Sequence, residues 1–384
     1  MKRILNITYD LRDRNNQKVT PAVNNLINIT RTDFEPIIID LARVSNPTGE
    51  YVRKESHDHF RINVLGFPYG LLMYFTQKRV FKRLTEKDFA SEIKINDINL
   101  IHSHKLTFEG LIGHKLSQYL NVPHIVTLRQ TDIYVLKRKP GAVNKFKPVI
   151  ENCSKIIYLI PGILKRMEQL FGKSFFDEHI FPKAVLIPNI VDKLNHSSPG
   201  NFEKGNFLTV LKLSKACVLR KNIRRLLIAL SHIKEHQIKL TLVGNGDYMY
   251  KVKNWVSELK LSNKVQFAGK VNHEEIDSYY AGAEAFLLPS ISESFGLVYA
   301  EALLNGTPIM YSKDHLGFDG FFEGVGVGVN PRSVESIKDG ILDLYANGDI
   351  YRANIRRLDE EGKFKIFSSE YVANNYFNII NSLV

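Results

Sequence analysis

The run Ala285-Phe286-Leu287-Leu288-Pro289 followed by Ser290-Ile291-Ser292-Glu293-Ser294-Phe295-Gly296-Leu297-Val298-Tyr299-Ala300-Glu301-Ala302-Leu303-Leu304-Asn305-Gly306-Thr307-Pro308 decides the fold class. The apolar stretch ending at Pro289 predicts a buried strand. The loop after it holds Glu293, a helix starts near Gly296 and stops at Gly306, and Pro308 opens the next strand. Strand, helix and strand in that succession make the unit of a parallel sheet. Gly296 lets the backbone approach a ligand closely, and the N–H groups at the helix start suit a phosphate. Glu301, about one turn inside, can accept two hydrogen bonds from a vicinal diol such as a ribose. Glu293 can reach a sugar hydroxyl. An ordinary strand–loop–helix with two solvated glutamates would read the same way, because short motifs recur by chance.

The same alternation extends in both directions. Strands are expected at Ile4–Thr8, Pro36–Leu41, Ile98–His102, Pro123–Arg129 and Lys155–Ile160, and again at Phe207–Lys212, Lys239–Val243, Ala285–Pro289 and Pro308–Ser312. Ile223, Leu226, Leu227, Leu230 and Ile233 follow helical spacing. Asn272 with Glu275 resembles a capping arrangement ahead of Ile276, Tyr279 and Tyr280. Tyr371, Val372, Asn375, Tyr376, Ile379, Ile380 and Leu383 form an apolar stripe on a last helix that must be buried. The polar, turn-rich stretch His196–Asn201 marks a seam. The expectation is α/β architecture with two doubly wound domains, ligands binding at the carboxyl ends of the strands in the cleft between them.

Glu293 and Glu301, eight positions apart around Phe295-Gly296-Leu297-Val298, resemble the paired-glutamate motif of glycosyltransferase family 4. Leu242-Val243-Gly244-Asn245-Gly246-Asp247 is similar to that family's strand-ending glycine turn, and Val265-Gln266-Phe267-Ala268-Gly269 to the strand that follows. The resemblance implies a GT-B fold: two Rossmann-like domains facing across a cleft, with a C-terminal helix packing back on the N-terminal domain. The expected bounds are 1–197 for acceptor binding, 198–366 for the nucleotide sugar and 367–384 for the returning helix. It implies that Glu301 holds the donor ribose and that Glu293 lies near the anomeric region of the donor sugar. Phe295, Gly296, Leu297 and Val298 would line the donor, and Gly244 would turn near its base. Retention of the anomeric configuration and a preference for UDP-sugars come from the same source.

Leu211-Lys212-Leu213 and Arg220-Lys221-Asn222 resemble the family's basic pair at a strand end and the following helix start. Such cations stabilise the charge developing on a diphosphate leaving group. With a helix amino terminus they would do so without a metal, and no cofactor is expected. Lys212 and Lys221 stand nine apart with Ser214–Leu219 reading as a longer loop, so Lys215 and Arg220 compete for the same role. Lys221 and Arg224 also fit a solvated helix face.

The first half resembles the family less closely. His102 and His104 at one strand end, and Thr127-Leu128-Arg129-Gln130-Thr131-Asp132 at another, are similar to its acceptor-side elements, with Arg129 and Gln130 where histidine and glycine are usual. Arginine cannot act as a base at neutral pH, so Arg129 would stabilise negative charge. Asp132 would bind a sugar hydroxyl or fix Arg129. His102 and His104 would contact the acceptor, although alternate strand positions also suit two metal ligands. Gln17–Thr20 stands near the family's amino-terminal glycine pair, and Asn189 with Asp192 near its crossing into the second domain.

The formal net charge is +12, and it is one-sided. Residues 1–197 hold 30 lysines and arginines against 19 acids; residues 198–384 hold 22 against 21. A basic half implies an anionic partner. No aromatic-rich basic module appears, which disfavours nucleic acid. Gln77-Lys78-Arg79-Val80-Phe81-Lys82-Arg83-Leu84 follows the apolar stretch Ile62–Phe75, and Lys137-Arg138-Lys139 with Lys145 and Lys147 follows Asp132. Both suit an anionic membrane surface and a lipid-linked, phosphorylated acceptor, and both also suit a generally basic surface. Ile62–Phe75, interrupted by Gly66, Pro68 and Gly70, is too short to span a bilayer. Cys153 and Cys217 make no disulfide framework. With no amino-terminal signal pattern, a cytoplasmic protein, peripheral on the inner face of the cell membrane, is expected. A nucleotide-sugar epimerase of the same fold and a non-catalytic carbohydrate-binding partner are the rival readings.

Overall fold

The computed structural model describes residues 1–9, 21–44, 52–65, 72–138, 141–191, 203–234, 236–272, 274–293, 295–313, 318 and 320–384. Two compact units divide the chain. One comprises Met1–Leu159, Ile163–Ile190 and Ser369–Val384; the other comprises Ile160–Gly162 and Val191–Ser368. The expected seam His196–Asn201, the segment Gln17–Thr20 and Asp192 lie outside the described residues.

In the first unit the strands are β1 (Lys2–Tyr9), β2 (Phe34–Val44), β3 (Val52–Ser56), β4 (His59–Leu65), β5 (Leu100–Ser103), β6 (His124–Leu128), β7 (Lys155–Tyr158) and β8 (Ala184–Leu186). Among the described residues they form one sheet in the order β3-β4-β2-β1-β5-β6-β7-β8, parallel except for the β3–β4 pair. Central β1 is buried along nearly its whole length, as expected of a strand covered on both faces. One face carries Leu5, Ile7, Ile39, Phe60 and Ile62 against Val80, Leu84, Ile112 and Leu116.

On the other face, helix Ser369–Asn381 lays Val372, Tyr376, Ile379 and Ile380 against Ile4, Leu100, Ile125 and Ile157. The last helix thus completes the core of the first unit. Tyr371, counted in its apolar stripe from spacing, is 37% exposed and does not share in that burial.

The apolar stretch Ile62–Phe75 is not one segment. Ile62–Leu65 ends β4, and Leu72 opens helix Leu72–Thr85. Val80 and Leu84 of that helix are fully buried in the unit's own core, which leaves Lys78, Arg79 and Lys82 on its exposed face. Among the described residues no helix is long and apolar enough to cross a membrane.

The second unit holds β9 (Asn206–Val210), β10 (Lys239–Val243), β11 (Val265–Gly269), β12 (Phe286–Leu287), β13 (Ile309–Ser312) and β14 (Gly326–Val329). Among the described residues the order is β11-β10-β9-β12-β13-β14, all parallel. The chain runs outward from β9 to β11, then returns to the other side of β9 as β12. That reversal makes β9/β12 the switch point, where the strand ends leave a crevice.

Helices Ile223–Ser231, Met249–Glu258 and Val334–Glu360 bury Leu226, Leu230, Val252, Trp255, Ile341 and Leu344 against Leu240, Leu242 and Leu287. Two local expectations change. Ser214–Leu219 is not an open loop, because Lys215–Arg220 is a short helix. Asn272 and Glu275 do not cap each other: Glu275 is itself the residue before helix Ile276–Ala281, in helical conformation and without a side-chain cap.

Candidate active site

The site in the second unit grows from the end of β12. Its loop Leu288–Glu293 leaves the sheet with backbone groups that need partners, and neighbouring side chains supply them. Tyr299 Oη donates to Leu288 O at 2.6 Å, Asn222 Nδ2 to Pro289 O at 3.1 Å, and Ser312 Oγ to Ser290 O at 2.6 Å. The Ile291 N–H donates to Arg220 O at 2.8 Å. Asn222 also donates to Pro331 O at 2.6 Å and sits at φ +62, a conformation asparagine tolerates. These bonds tie the loop backbone to its neighbours without a ligand.

Glu293 is held in an ion pair with Lys221. Lys221 is 8% exposed, at the end of helix Lys215–Arg220, so a single anchored cation is brought to the loop. Burial pulls its ammonium down to about 8, while the Glu293 carboxylate against it favours the charged form. Of the other basic candidates, Lys212 lies just past the end of β9, and Lys212, Lys215 and Arg220 are all exposed.

Gly296 takes φ +81 at the start of helix Leu297–Leu304. A Cβ there would lie 2.4 Å from the Tyr299 ring and 3.1 Å from Glu293 Cγ, so glycine sets both the turn and the placement of Glu293. The N–H groups of Leu297 and Val298 stand in the first turn, where no intrahelical carbonyl is available to them. Glu301, on the same helix, accepts from Tyr280 Oη at 2.8 Å, and Tyr280 is fully buried. One carboxylate oxygen is thereby fixed by the protein.

Two of the expected donor positions also have packing roles of their own. Phe295 is 2% exposed, with its ring among Phe318, Phe321 and Phe367, so its side chain supports the loop from beneath. Gly244 has φ +136, and a Cβ there would lie 1.8 Å from Leu211 O. That close approach of two strand ends explains the glycine without a ligand.

In the first unit, His102 is fully buried with both ring nitrogens engaged, Nδ1 with Tyr376 Oη at 2.6 Å and Nε2 with Thr127 Oγ1 at 2.8 Å. Burial pulls its pKa down to about 3, so it is a neutral packing residue with no nitrogen left for an acceptor or a metal. His104 is 1% exposed and stacks on His102, ring centroids 4.0 Å apart. Asn6 Nδ2 donates to Ile4 O, so His104 Nε2 donates to Asn6 Oδ1 at 3.1 Å. Asp132 is fully buried and accepts from the backbone N–H groups of Thr107 and Arg129 at 3.0 and 2.8 Å. It fixes Arg129, the second of its two expected roles, and does not face a sugar. Arg129 is half-buried, with Nε donating to His104 O at 2.9 Å. Among the described residues no three or more His, Cys, Asp or Glu converge as metal ligands would.

Three supporting residues went unseen in the sequence. Tyr280 read only as an apolar helix position, Asn222 as a helix start, and the buried Glu109 not at all.

Comparison with known proteins bears on this arrangement. Residues 198–361 match the family model described as glycosyl transferases group 1. An uncharacterized glycosyltransferase of Methanocaldococcus jannaschii is 32% identical over 320 residues, covering 79% of each chain. The alpha-monoglucosyldiacylglycerol synthase of Streptococcus pneumoniae is 25% identical over 254 residues, 60% of this chain and 56% of that one. Among solved structures, Anabaena HepE in complex with UDP superposes with a TM-score of 0.67 at 17% identity, covering the whole of both chains.

Proposed function

The chain belongs to the group 1 glycosyltransferase family and has the GT-B fold, and on that premise we propose that it is a retaining, metal-independent hexosyltransferase. It moves a hexosyl or N-acetylhexosaminyl group from a UDP-sugar to a lipid-linked glycan acceptor, in surface polysaccharide or lipopolysaccharide assembly. The observation that carries the reading is the hydrogen-bonded loop on which Glu293 meets buried Lys221, beside the glycine-started helix that bears Glu301.

In this reading Glu301 accepts the ribose hydroxyls, with Tyr280 holding its second oxygen. Lys221, with Lys212 on the exposed strand end, and the first-turn N–H groups of Leu297 and Val298 take the charge of the departing diphosphate. Glu293 orients both Lys221 and the donor sugar. No second carboxylate stands ready as a nucleophile in this loop, which favours departure and attack on one face of the sugar. Arg129 is the fixed cation of the acceptor-binding unit.

Relatives support the finer choices by analogy. HepE was solved with UDP, and the pneumococcal relative is named for a diacylglycerol glycolipid. The exposed cations Lys78, Arg79 and Lys82 suit an anionic lipid surface.

A panel of nucleotide sugars, followed by nucleoside diphosphate release with and without a membrane extract as acceptor, tests this. Acceptor-dependent UDP release with an α-linked product from an α-linked donor is expected. Interconversion of the free nucleotide sugar without transfer would point instead to an epimerase, and no turnover with intact donor binding to a non-catalytic partner.

A further inference from the structure

At the carboxyl edge of the first sheet, one set of bonds between two loops positions Arg129, and Lys105 belongs to one of those loops. Asp132 ties the loop after β5, through Thr107, to the loop after β6, through Arg129. Arg129 Nε adds a second link between the same loops at the His104 carbonyl. The guanidinium is pinned along one edge, and its two terminal amino groups have no hydrogen-bond partner among the described residues. The residue after that carbonyl is Lys105, whose ammonium stands 5.3 Å from the centroid of the Tyr9 ring and 3.4 Å from Glu109 Oε1. Glu109 is 1% exposed, and burial pushes its carboxyl pKa up, which weakens its hold on the Lys105 charge.

The terminal amino groups of the half-buried guanidinium are not among the buried atoms left without a partner, so they reach solvent and are free to meet an acceptor there. Its planar fork matches a pair of phosphate oxygens, and it stays charged at any working pH. We propose that Arg129 and Lys105 form a phosphate site on the first unit that reads a phosphate carried by the acceptor.

The proposal rests on the reading of this unit as the acceptor side. A phosphoryl group can come from the acceptor or from the donor diphosphate. The acceptor is the source assigned here, because the donor residues Glu293, Glu301 and Lys221 already stand together on the second unit with a cation of their own.

Calorimetric titration of the full chain with inorganic phosphate and with glucose 6-phosphate, both in saturating UDP, tests the site. Binding is expected to persist in UDP, and Arg129→Met and Lys105→Met should each weaken it by about tenfold or more. Arg129→Lys should recover only part of it, because the fork is gone. UDP affinity of both methionine variants should stay within about twofold of the unaltered chain, because the donor residues of the proposed reading belong to the other unit. Arg129→Met removes a bond between two loops and can lose the fold, whereas Lys105→Met leaves those bonds in place and keeps the test decisive. Phosphate binding that vanishes in UDP, or that survives Lys105→Met undiminished, overturns the site. Failure of UDP itself to bind strikes the donor reading alone. The phosphate arm is then run on the Lys221→Met chain, where loss on adding Lys105→Met still supports the site and indifference to it overturns it.

Discussion

Lys221 is held close to its own titration. Burial lowers its ammonium pKa to about 8, so the charge that the proposed reading has it offer a diphosphate is present below that pH and is lost as the pH rises through it. UDP affinity should therefore fall between pH 7 and pH 9, and Lys221→Arg, which cannot lose its proton in that range, should flatten the fall. Calorimetry at three pH values measures this. A profile unchanged by the arginine would remove Lys221 from the phosphate site. At this scale Glu293, Glu301 and Lys221 were singled out through the family motif they resemble, because their spacing alone fits an ordinary strand–loop–helix equally well. The role of His102 was not legible. Its partners Thr127 and Tyr376 lie 25 and 274 residues away, and only the folded sheet reveals that both ring nitrogens are spoken for.

Elements were easier to read than their junctions. The helix bounded by Gly296 and Gly306 and the parallel strands around it followed from apolar runs and punctuation. Val52–Ser56 was missed because its sequence, Val-Arg-Lys-Glu-Ser, has almost no apolar content, as suits an edge strand with only β4 beside it. The helix Lys215–Arg220 was missed because one and a half turns show no period. Helix Ser369–Asn381 gives this scale its prediction. Tyr376→Phe keeps the apolar contact but leaves His102 Nδ1 buried without a partner, which costs about 1–3 kcal/mol. Urea denaturation reads that loss. An unchanged midpoint would mean that the helix is held by its apolar stripe alone.

Across the whole chain, basic charge gathers in the residues that build most of the first unit, and that unit also buries neutral histidines. His102 and His124 are each pulled down to about 3 by burial, against about 6.5 in an unfolded chain. Between those values the unfolded state holds more protons, so stability falls as the pH drops. The loss is about 2 kcal/mol for each histidine at pH 5 relative to neutral pH. Urea midpoints at pH 7.5 and pH 5 check it, and equal midpoints would contradict the buried neutral state. The two mainly parallel sheets and the loop after β12 were legible from sequence. What the first unit binds was not, because its strand-end residues serve one another before they serve a ligand: Asp132 clamps two loops, and His104 bonds to Asn6.

The claim on which the functional account turns is that Glu301, steadied by Tyr280, grips the ribose of an activated sugar. Its most direct test is the calorimetric dissociation constant of UDP for the unaltered chain and for Glu301→Ala. If the ribose is held in this way, UDP binding is measurable in the unaltered chain and weaker by about tenfold or more, or about 1.4 kcal/mol, in the variant. Equal affinity in the two proteins would contradict it.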